Sequence, residues 1–413
     1  MSTTPIREGL LDKMRQWQVI DCHEHLPEET ERTSCPVDAL TLFSHYNHND
    51  LINAGLSRED YDRTQDHTLP LDQRWALVRP YWERIRFTGY SRPILLAVRR
   101  FYGCDDLNDD TYEVISERMQ AANTPGIYES VLRNACNIRF CLTQIGRVPT
   151  ANRDLLVPLV PAHDFVSART PQAVAQQAEA EGGTVSSLDD YTELARQRLR
   201  QAKAQGVVGL KMAANPHTVP PREEVAAAFA LMLQGREHDA RLLSDGLLNE
   251  LIELAADEEL VVAIHCGLIW TNWQDFSQLH PRHMIPLLMA HRRTRFDLYH
   301  AGLPWVRETG AIGKTFPNVW LNLCWTHIMA PAMTVSAMNE WLDMVPYTKI
   351  LGFGGDYGKP VEKVYGHLQM ALEGIATVLA GRVGEGWMSE EQALQVAHAW
   401  LWDNPVELYQ LQV

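Results

Sequence analysis

Eight short apolar runs alternate with helical patterns along this 413-residue chain, and this alternation constrains its fold more than any other feature. Most of the runs are continuously apolar, as expected for parallel strands that are covered on both faces. A strand, a helix and a second strand in succession form a right-handed unit with parallel strands. Eight such strands predict an α/β fold of the closed (β/α)₈ type, the TIM barrel. The predicted strands are 17–22, 137–144, 155–162, 206–213, 260–266, 296–301, 319–325 and 350–356.

One segment, residues 26–136 approximately, interrupts this rhythm between the first two predicted strands. It carries helical patterns separated by turn residues. We therefore predict an α-helical insertion after strand 1, placed above the carboxyl ends of the strands, where barrel enzymes build their active sites. No convincing linker divides the chain, so residues 1–413 are expected to form one barrel domain that contains the insertion.

Charge and cysteine content exclude some classes of partner. The formal net charge is −15 and the sequence pI is near 5.5, whereas a nucleic-acid binder needs a basic surface. No apolar run approaches the roughly 20 residues that span a bilayer. The seven cysteines form no CxxC pair, which is typical of reduced thiols. The expectation is a cytoplasmic enzyme with a small-molecule substrate, no nucleic-acid or membrane partner, and association into a homo-oligomer.

The segment VIDCHEHLP places two histidines, His23 and His25, at the end of the first apolar run. In an extended chain, residues i and i+2 point to the same side, so both imidazoles can approach one ion. Imidazole suits Zn²⁺, Mn²⁺ and iron. A His-x-His pair is a weak signal when it stands alone.

Four further polar side chains stand where other apolar runs stop, namely Lys211, His265, His300 and Asp356. A polar group buried without a partner is costly, so each of these positions needs a reason. Any single one could be a capped strand end or a satisfied core histidine. Their repetition at successive strand ends favours a metal site over that alternative.

Lys211 allows three interpretations, because lysine is seldom fully buried unless it is paired. It can be carbamylated and bridge two metal ions. It can remain a free ammonium that holds a substrate carboxylate. It can also be the partner in a structural ion pair, and the sequence leaves all three open.

Taken strand by strand, these residues resemble the amidohydrolase superfamily, from about residue 17 to the C-terminus. The resemblance implies that His23, His25 and Asp356 bind the more buried metal ion. It implies that His265 is a ligand in mononuclear and in binuclear members alike. The expected cofactor is therefore a divalent metal, Zn²⁺ with Mn²⁺ or iron as alternatives, in one or two copies.

The resemblance leaves two roles open for the strand-4 lysine and the strand-6 histidine. In binuclear members, a carboxylated lysine and this histidine complete a second metal site, which would be Lys211 and His300 here. In mononuclear decarboxylase-type members, the strand-6 histidine is catalytic instead. Lys211, His300 and Asp356 are thus the predicted catalytic residues and also candidate metal ligands.

Within the superfamily, GVVGLKMAA, AIHCG, LYHAGLPW and DNPVELYQL are similar to the amidohydrolase 2 branch, with its nodulin-like domains fused to glutamine-synthetase-like modules. The layout also resembles uronate isomerases, which share a long helical insertion after strand 1. Those isomerases follow the strand-8 aspartate with a Ser-Arg-Ser-type segment that helps to bind the sugar acid. The corresponding GGDYGKP segment here contains no arginine.

The resemblance implies a metal-dependent hydrolase, in which a metal-activated water attacks a C–N or C–O bond of a small, carboxylate-bearing substrate. Asp356 would accept the proton of the water and deliver it to the leaving group. His300 would bind a second metal or stabilise the oxyanion. Aldose–ketose isomerisation and decarboxylation are alternatives that use the same set of residues.

Substrate contacts are predicted at the rim of the barrel. Trp325 follows strand 7 and Tyr357 follows strand 8, so both are expected to line it. Arg86, in the insertion, is a candidate bidentate clamp for a carboxylate, with a surface ion pair as the alternative. His45 and His48 either cover the site or are ordinary polar residues of the insertion.

Overall fold

The computed structural model describes residues 3–166 and 169–413, and its eight strands form a parallel sheet in sequence order. Hydrogen bonds join the two ends of this sheet, since Cys22 N donates to Phe353 O at 3.0 Å and Asp356 N donates to His23 O at 2.8 Å. The predicted (β/α)₈ barrel is confirmed. Its strands are β1 (Val19–Glu24), β2 (Ile138–Thr143), β3 (Leu156–Pro161), β4 (Gly209–Ala213), β5 (Val261–His265), β6 (Arg295–Tyr299), β7 (Val319–Asn322) and β8 (Ile350–Leu351).

Strand β8 is much shorter than predicted, because the glycine-rich segment after Leu351 forms its hydrogen bonds elsewhere. Gly352 N donates to Trp400 O at 2.8 Å. A Cβ atom on Gly355 would lie 1.9 Å from Glu24 Oε1, closer than real contacts allow. Only glycine lets this segment lie directly against β1, and this close approach brings the following residue, Asp356, to the β1 histidines.

The insertion between β1 and β2 is helical, as predicted, and has a hydrophobic cluster of its own. Phe43, Trp82 and Val98 are fully buried members of that cluster. After α1 (Thr4–Met14), which precedes β1, the insertion contains α2 (Glu29–Thr33), α3 (Asn47–Asn53), α4 (Arg58–Thr64), α5 (Leu71–Ile85), α6 (Arg92–Tyr102), α7 (Tyr112–Ala122) and a π-helical segment (Glu129–Ala135).

The other helices surround the barrel and cover the outer faces of its strands. Among the described residues, none of the helices has the length and apolar character needed to cross a bilayer. They are α8 (His163–Val166), α9 (Pro171–Ala180), α10 (Leu188–Ala204), α11 (Arg222–Leu233), α12 (Ala240–Asp257), α13 (Ile285–Ala290), α14 (Val306–Thr315), α15 (Thr326–Met329), α16 (Pro331–Met344), α17 (Glu362–Gly384), α18 (Glu390–His398) and α19 (Asn404–Tyr409).

Buried polar contacts attach the insertion to the first turn of α17. Glu362 Oε1 accepts hydrogen bonds from Arg32 Nη2 at 3.0 Å and from Tyr102 Oη at 2.8 Å. The neighbouring Lys363 Nζ donates to Asn47 Oδ1 at 2.7 Å. Because these charged groups are shielded from water, we propose that barrel and insertion form one domain.

Candidate active site

Two histidines and one carboxylate converge at the carboxyl end of β1. His23 Nε2 lies 3.1 Å and His25 Nε2 lies 3.3 Å from the same atom, Asp356 Oδ1. One ligand atom from each of the three residues lies within 4.8 Å of the other two. The structure therefore brings together the three residues predicted to hold the more buried metal ion.

The protonation of these groups suits a cation. His25 Nδ1 lies 2.8 Å from Gln144 O, a carbonyl that can only accept, so Nδ1 carries the proton and Nε2 keeps its lone pair. Burial lowers the pKa of His23 to about 4, which leaves the ring neutral near pH 7. Burial alone raises the pKa of Asp356, but the surrounding histidines, His23 foremost, hold it well below its ordinary value. Two neutral imidazoles and a carboxylate are a donor set that fits a divalent ion such as Zn²⁺.

His265 and His300 lie beside this cluster at the ends of β5 and β6. His265 Nε2 donates to Leu268 O at 2.9 Å, so in the neutral ring Nδ1 keeps the lone pair. Burial lowers the pKa of His265 to about 3. His300 Nε2 lies 3.0 Å from that Nδ1, and His300 Nδ1 lies 3.8 Å from Asp356 Oδ2. Both rings are thus near enough to the cluster for the predicted ligand or catalytic roles, which stay predictions.

Lys211 is buried in the middle of β4, where its Nζ lies 4.8 Å from the centroid of the Tyr299 ring. Burial lowers its pKa. Within residues 3–166 and 169–413, no carboxylate forms an ion pair with this ammonium group. The structural ion pair is therefore not observed, while the carbamylated lysine and the substrate-binding ammonium both stay open.

A cavity of about 1050 Å³ opens above these residues. Its floor consists of His23, His25, Lys211, His265 and Asp356. We use the word floor for these five residues throughout. The insertion, strand β4 and the loops after β5, β7 and β8 supply most of the walls, which include Thr41, Ser44, His45, Tyr46, Tyr61, Gln65, His67, Met212, Ile269, Trp270, Leu279, Trp325 and Lys359.

Of the three predicted substrate contacts, Trp325 lines the cavity and the other two do not. Tyr357 is fully buried behind the wall, where Lys363 Nζ lies 5.0 Å from its ring centroid. The Arg86 guanidinium is turned to another surface, because it pairs with Asp106 at 2.6 Å within the insertion. The predictions that Tyr357 and Arg86 contact the substrate are therefore wrong for this structure, and the surface ion pair is the correct interpretation of Arg86.

His45 is a cavity residue whose position the sequence left undecided. Gly358 N donates to His45 Nδ1 at 3.1 Å, so the ring proton is on Nε2. Burial lowers the pKa of His45 to about 3. A neutral imidazole with a fixed Nε2–H group is a hydrogen-bond donor for a ligand in the cavity. The sequence signal was a histidine-rich stretch, SHYNH, inside an otherwise helical segment.

Two buried acids on β1, Asp21 and Glu24, escaped the sequence analysis. Asp21 Oδ1 accepts hydrogen bonds from Gly355 N at 3.1 Å and from His23 N at 3.2 Å. Glu24 Oε2 accepts one from Tyr357 N at 2.6 Å. These bonds fix the backbone on both sides of Asp356. The sequence did contain a signal for both acids, because they alternate with the histidines in a run that is otherwise apolar.

Backbone strain also concentrates at the site. Positive φ angles occur at His45 (66°), His300 (61°), Trp325 (67°) and Asp356 (61°). Each such angle at a residue other than glycine costs on the order of 1–3 kcal/mol and persists only where the surroundings impose it. Their concentration at one cavity indicates a site under functional constraint.

Comparison with known families agrees with this geometry. Residues 169–411 match the family model described as Amidohydrolase. The chain belongs to the amidohydrolase family. The matched region contains Lys211, His265, His300 and Asp356, so the resemblance predicted from the strand-end residues is confirmed. Enzymes of this family generally depend on divalent metal ions, and the cluster of two histidines and an aspartate is the candidate site here.

Solved structures similar to this amidohydrolase extend over the whole chain. The uronate isomerase of Thermotoga maritima has a TM-score of 0.79 at 16% identity, covering 98% of this chain and 97% of its own. The glucuronate isomerase of Caulobacter crescentus has a TM-score of 0.78 at 18% identity, covering 100% and 95%. A Lactobacillus casei protein described as a metal-dependent hydrolase has a TM-score of 0.60 at 19% identity, covering 98% and 99%. At these identities the likeness shows the fold alone.

A curated relative is similar over a shorter stretch. The protein fluG of Emericella nidulans is 26% identical over 175 residues, which are 41% of this chain and 20% of that protein. The matched stretch is therefore about a fifth of the length of this relative.

Proposed function

We propose that this chain is a metal-dependent hydrolase that cleaves a C–N or C–O bond in a small, carboxylate-bearing molecule. The observation that carries the proposal is the convergence of His23, His25 and Asp356 at the floor of a deep cavity. The net charge of −15 supports a small molecule rather than a nucleic acid as substrate. The seven free thiols support a reducing, cytoplasmic environment, and a homo-oligomer stays a prediction.

Asp356 and Lys211 of the floor, and His300 beside it, each have a role in this reaction. His23, His25 and Asp356 would hold a divalent ion, which would lower the pKa of water to about 7 and polarise a carbonyl oxygen. Asp356 accepts the proton of the attacking water and passes it to the leaving nitrogen or oxygen. His300 stabilises the negative charge that develops on the carbonyl oxygen. Lys211, as a free ammonium, holds the substrate carboxylate.

A second candidate function is uronate isomerisation. The whole-chain likeness to two sugar-acid isomerases favours it. In an isomerase, Asp356 would transfer a proton between C1 and C2 of an open-chain sugar. The GGDYGKP segment has no arginine, and no arginine lines the cavity among the residues that the structure describes. The family description and the Lactobacillus casei protein support hydrolysis instead.

The first test is the metal content of the purified protein and two variants, measured by elemental analysis. About one ion per chain, lowered in Asp356→Asn and unchanged in Lys211→Ala, supports a mononuclear site with Lys211 as a substrate-binding ammonium. About two ions, falling to one or fewer in Lys211→Ala, supports a carbamylated lysine in a binuclear hydrolase. No bound metal after supplementation with Zn²⁺ or Mn²⁺ would refute the proposal.

The second test separates the two reactions. D-Glucuronate is incubated with the metal-loaded protein in D₂O and followed by proton NMR. Loss of the C2 proton signal, or formation of a ketose, would identify an isomerase. An unchanged spectrum, together with release of free acid from a panel of N-acyl amino acids, supports the hydrolase.

A further inference from the structure

The two sides of the cavity differ in chemical character. The strands follow one another in order around the barrel, so β4 and β5 lie across from β1 and β8. The insertion after β1 and the loop after β8 provide a side that is richer in polar groups, with Ser44, Gln65, His67 and Lys359 beside the rings of Tyr46 and Tyr61. It is called the polar side below. Strand β4 and the loop after β5 provide the apolar wall, a name that denotes Met212, Ile269, Trp270 and Leu279 throughout.

The loop that carries most of the apolar wall is fixed to the floor. His265 Nε2 donates to Leu268 O at 2.9 Å. Just before that carbonyl in the chain, Gly267 N donates to Leu279 O at 2.8 Å and Leu268 N donates to Leu303 O at 2.8 Å. A Cβ atom on Gly267 would lie 2.1 Å from Leu303 O, so this tight anchorage requires glycine. Trp270 is therefore held a few residues from a floor histidine.

Trp270 is also tethered to the insertion, although much of its ring is uncovered. Its carbonyl accepts a hydrogen bond from the Asn49 side chain. Its ring centroid lies 5.3 Å from that of His48 and 5.9 Å from that of His45, both edge to face. The side chain is nevertheless 49% exposed. A large aromatic surface that is held in place in a cavity and left uncovered is a surface that a ligand can cover.

The polar side also carries a cation. Lys359 is exposed and lines the cavity. It has no carboxylate partner in the part of the chain that the structure describes. Its backbone is fixed, because Lys359 O accepts from Arg32 Nε at 2.8 Å. An anionic group of a ligand would find an unpaired ammonium here.

We propose that the substrate is an organic acid with an aromatic or similarly flat apolar group, which packs against Trp270 and the apolar wall while its carboxylate faces the lysines of the cavity. This inference rests on the proposed function and specifies its substrate class. A sugar acid carries a hydroxyl on nearly every carbon. Against Ile269 and Leu279 those hydroxyls would lose water without gaining a partner, which is unfavourable.

The experiment compares two acids that differ by one ring. Binding of 3-phenylpropionate and of propionate to the Zn²⁺-loaded protein is measured by isothermal titration calorimetry. We expect 3-phenylpropionate to bind at least about tenfold more tightly in the parent, since burial of one aromatic ring is worth that ratio. In Trp270→Ala the ratio of the two dissociation constants, propionate over 3-phenylpropionate, should fall to about threefold or less. Trp273→Ala is the matched control, because Trp273 is fully exposed outside the cavity lining and its loss should leave the ratio unchanged.

Several outcomes would overturn the inference. They are a parent ratio near one, no binding of 3-phenylpropionate at millimolar concentration, an unchanged ratio in Trp270→Ala, or tighter binding of D-glucuronate than of 3-phenylpropionate. Metal content is measured on the same samples. A parent that binds metal but shows no preference for the ring overturns this inference alone, whereas a parent that binds no metal overturns the proposed hydrolase.

Discussion

The floor of the cavity and the part of its wall built by the insertion are positioned by different means. Most floor residues lie on or next to a strand, where main-chain pairing sets their place, as the register of Ala213 with His265 shows. Asp356 is placed by the bond from its own N to His23 O. The inserted wall depends on contacts between distant residues, such as the bond from Gly358 N to His45 Nδ1 across 313 positions. The geometry of main-chain pairing between strands varies little, whereas side-chain contacts can be replaced one at a time by substitution. We infer that the floor determines the chemistry and the wall determines the substrate.

The largest effect is expected where the insertion is attached. In Glu362→Gln, the fully buried Arg32 guanidinium loses its counter-charge, and the free energy of unfolding should fall by about 3 kcal/mol. Urea denaturation measures this loss. The floor lies on other elements, so the variant should bind Zn²⁺ within about twofold of the parent.

Glu373→Gln is the matched control on the same helix, α17. Glu373 pairs with Arg92 at 2.8 Å where both side chains are partly exposed, so its loss should cost less than about 1 kcal/mol. Equal losses in the two variants, or a collapse of metal binding in Glu362→Gln, would show that floor and wall are not positioned independently.

The next effect concerns the floor alone. With free Zn²⁺ at a hundred times its dissociation constant, binding should stabilise the parent by about 2.7 kcal/mol. Asp356→Asn removes the carboxylate that both β1 histidines contact, so most of this gain should disappear. Urea denaturation with and without Zn²⁺ measures the gain. Asp105→Asn, at an exposed position, is the control and should keep the full stabilisation by Zn²⁺. A full gain in Asp356→Asn would remove Asp356 from the ligand set.

A smaller, pH-dependent effect is expected from the second link between α17 and the insertion. Burial lowers the pKa of Lys363 from 10.5 to about 7, although Asp50 opposes this shift. Between these two pKa values the unfolded chain binds a proton that the folded protein lacks. Stability should therefore rise with pH from about 7 to about 10.5, by at most about 1.4 kcal/mol per pH unit.

Lys363→Met should lack this contribution. The measurement is the free energy of unfolding of parent and variant at pH 7.5 and 8.5, and the difference between their slopes isolates Lys363. Parallel slopes would mean that Lys363 titrates alike in both states, and that the buried link holds a charged lysine.

The smallest effect is expected at Arg86, which lies in the insertion but outside the cavity. Its ion pair with Asp106 is partly exposed, so Arg86→Ala should lower the free energy of unfolding by no more than about 1 kcal/mol. Binding of 3-phenylpropionate should be unchanged. A tenfold loss of 3-phenylpropionate binding in this variant would show that Arg86 takes part in substrate binding. It would contradict the assignment of Arg86 to a surface outside the cavity.

The sequence predictions were more accurate for the floor than for the residues whose place depends on contacts between distant segments. His265 and His300 were predicted correctly as strand-end residues, because a polar side chain at the end of a buried run is visible in the sequence itself. Lys211 lies in the middle of β4 and not at its end. Tyr357 and Arg86 were misplaced. Tyr357 follows a residue with φ of +61°, where the strand alternation that would point it to the rim no longer holds. The partner of Arg86 lies 20 positions away, beyond helix α6 of the insertion.

The sequence by itself determined the barrel, the helical insertion and the strand-end residues of the floor, because hydrophobic periodicity and strand pairing are local properties. Only the tertiary structure decided that His45 and Trp270 meet around one cavity, and that Asp21 and Glu24 support Asp356 from behind. Those placements result from contacts between segments far apart in the chain. Such contacts depend on how whole elements pack, and no pattern within a single segment records them.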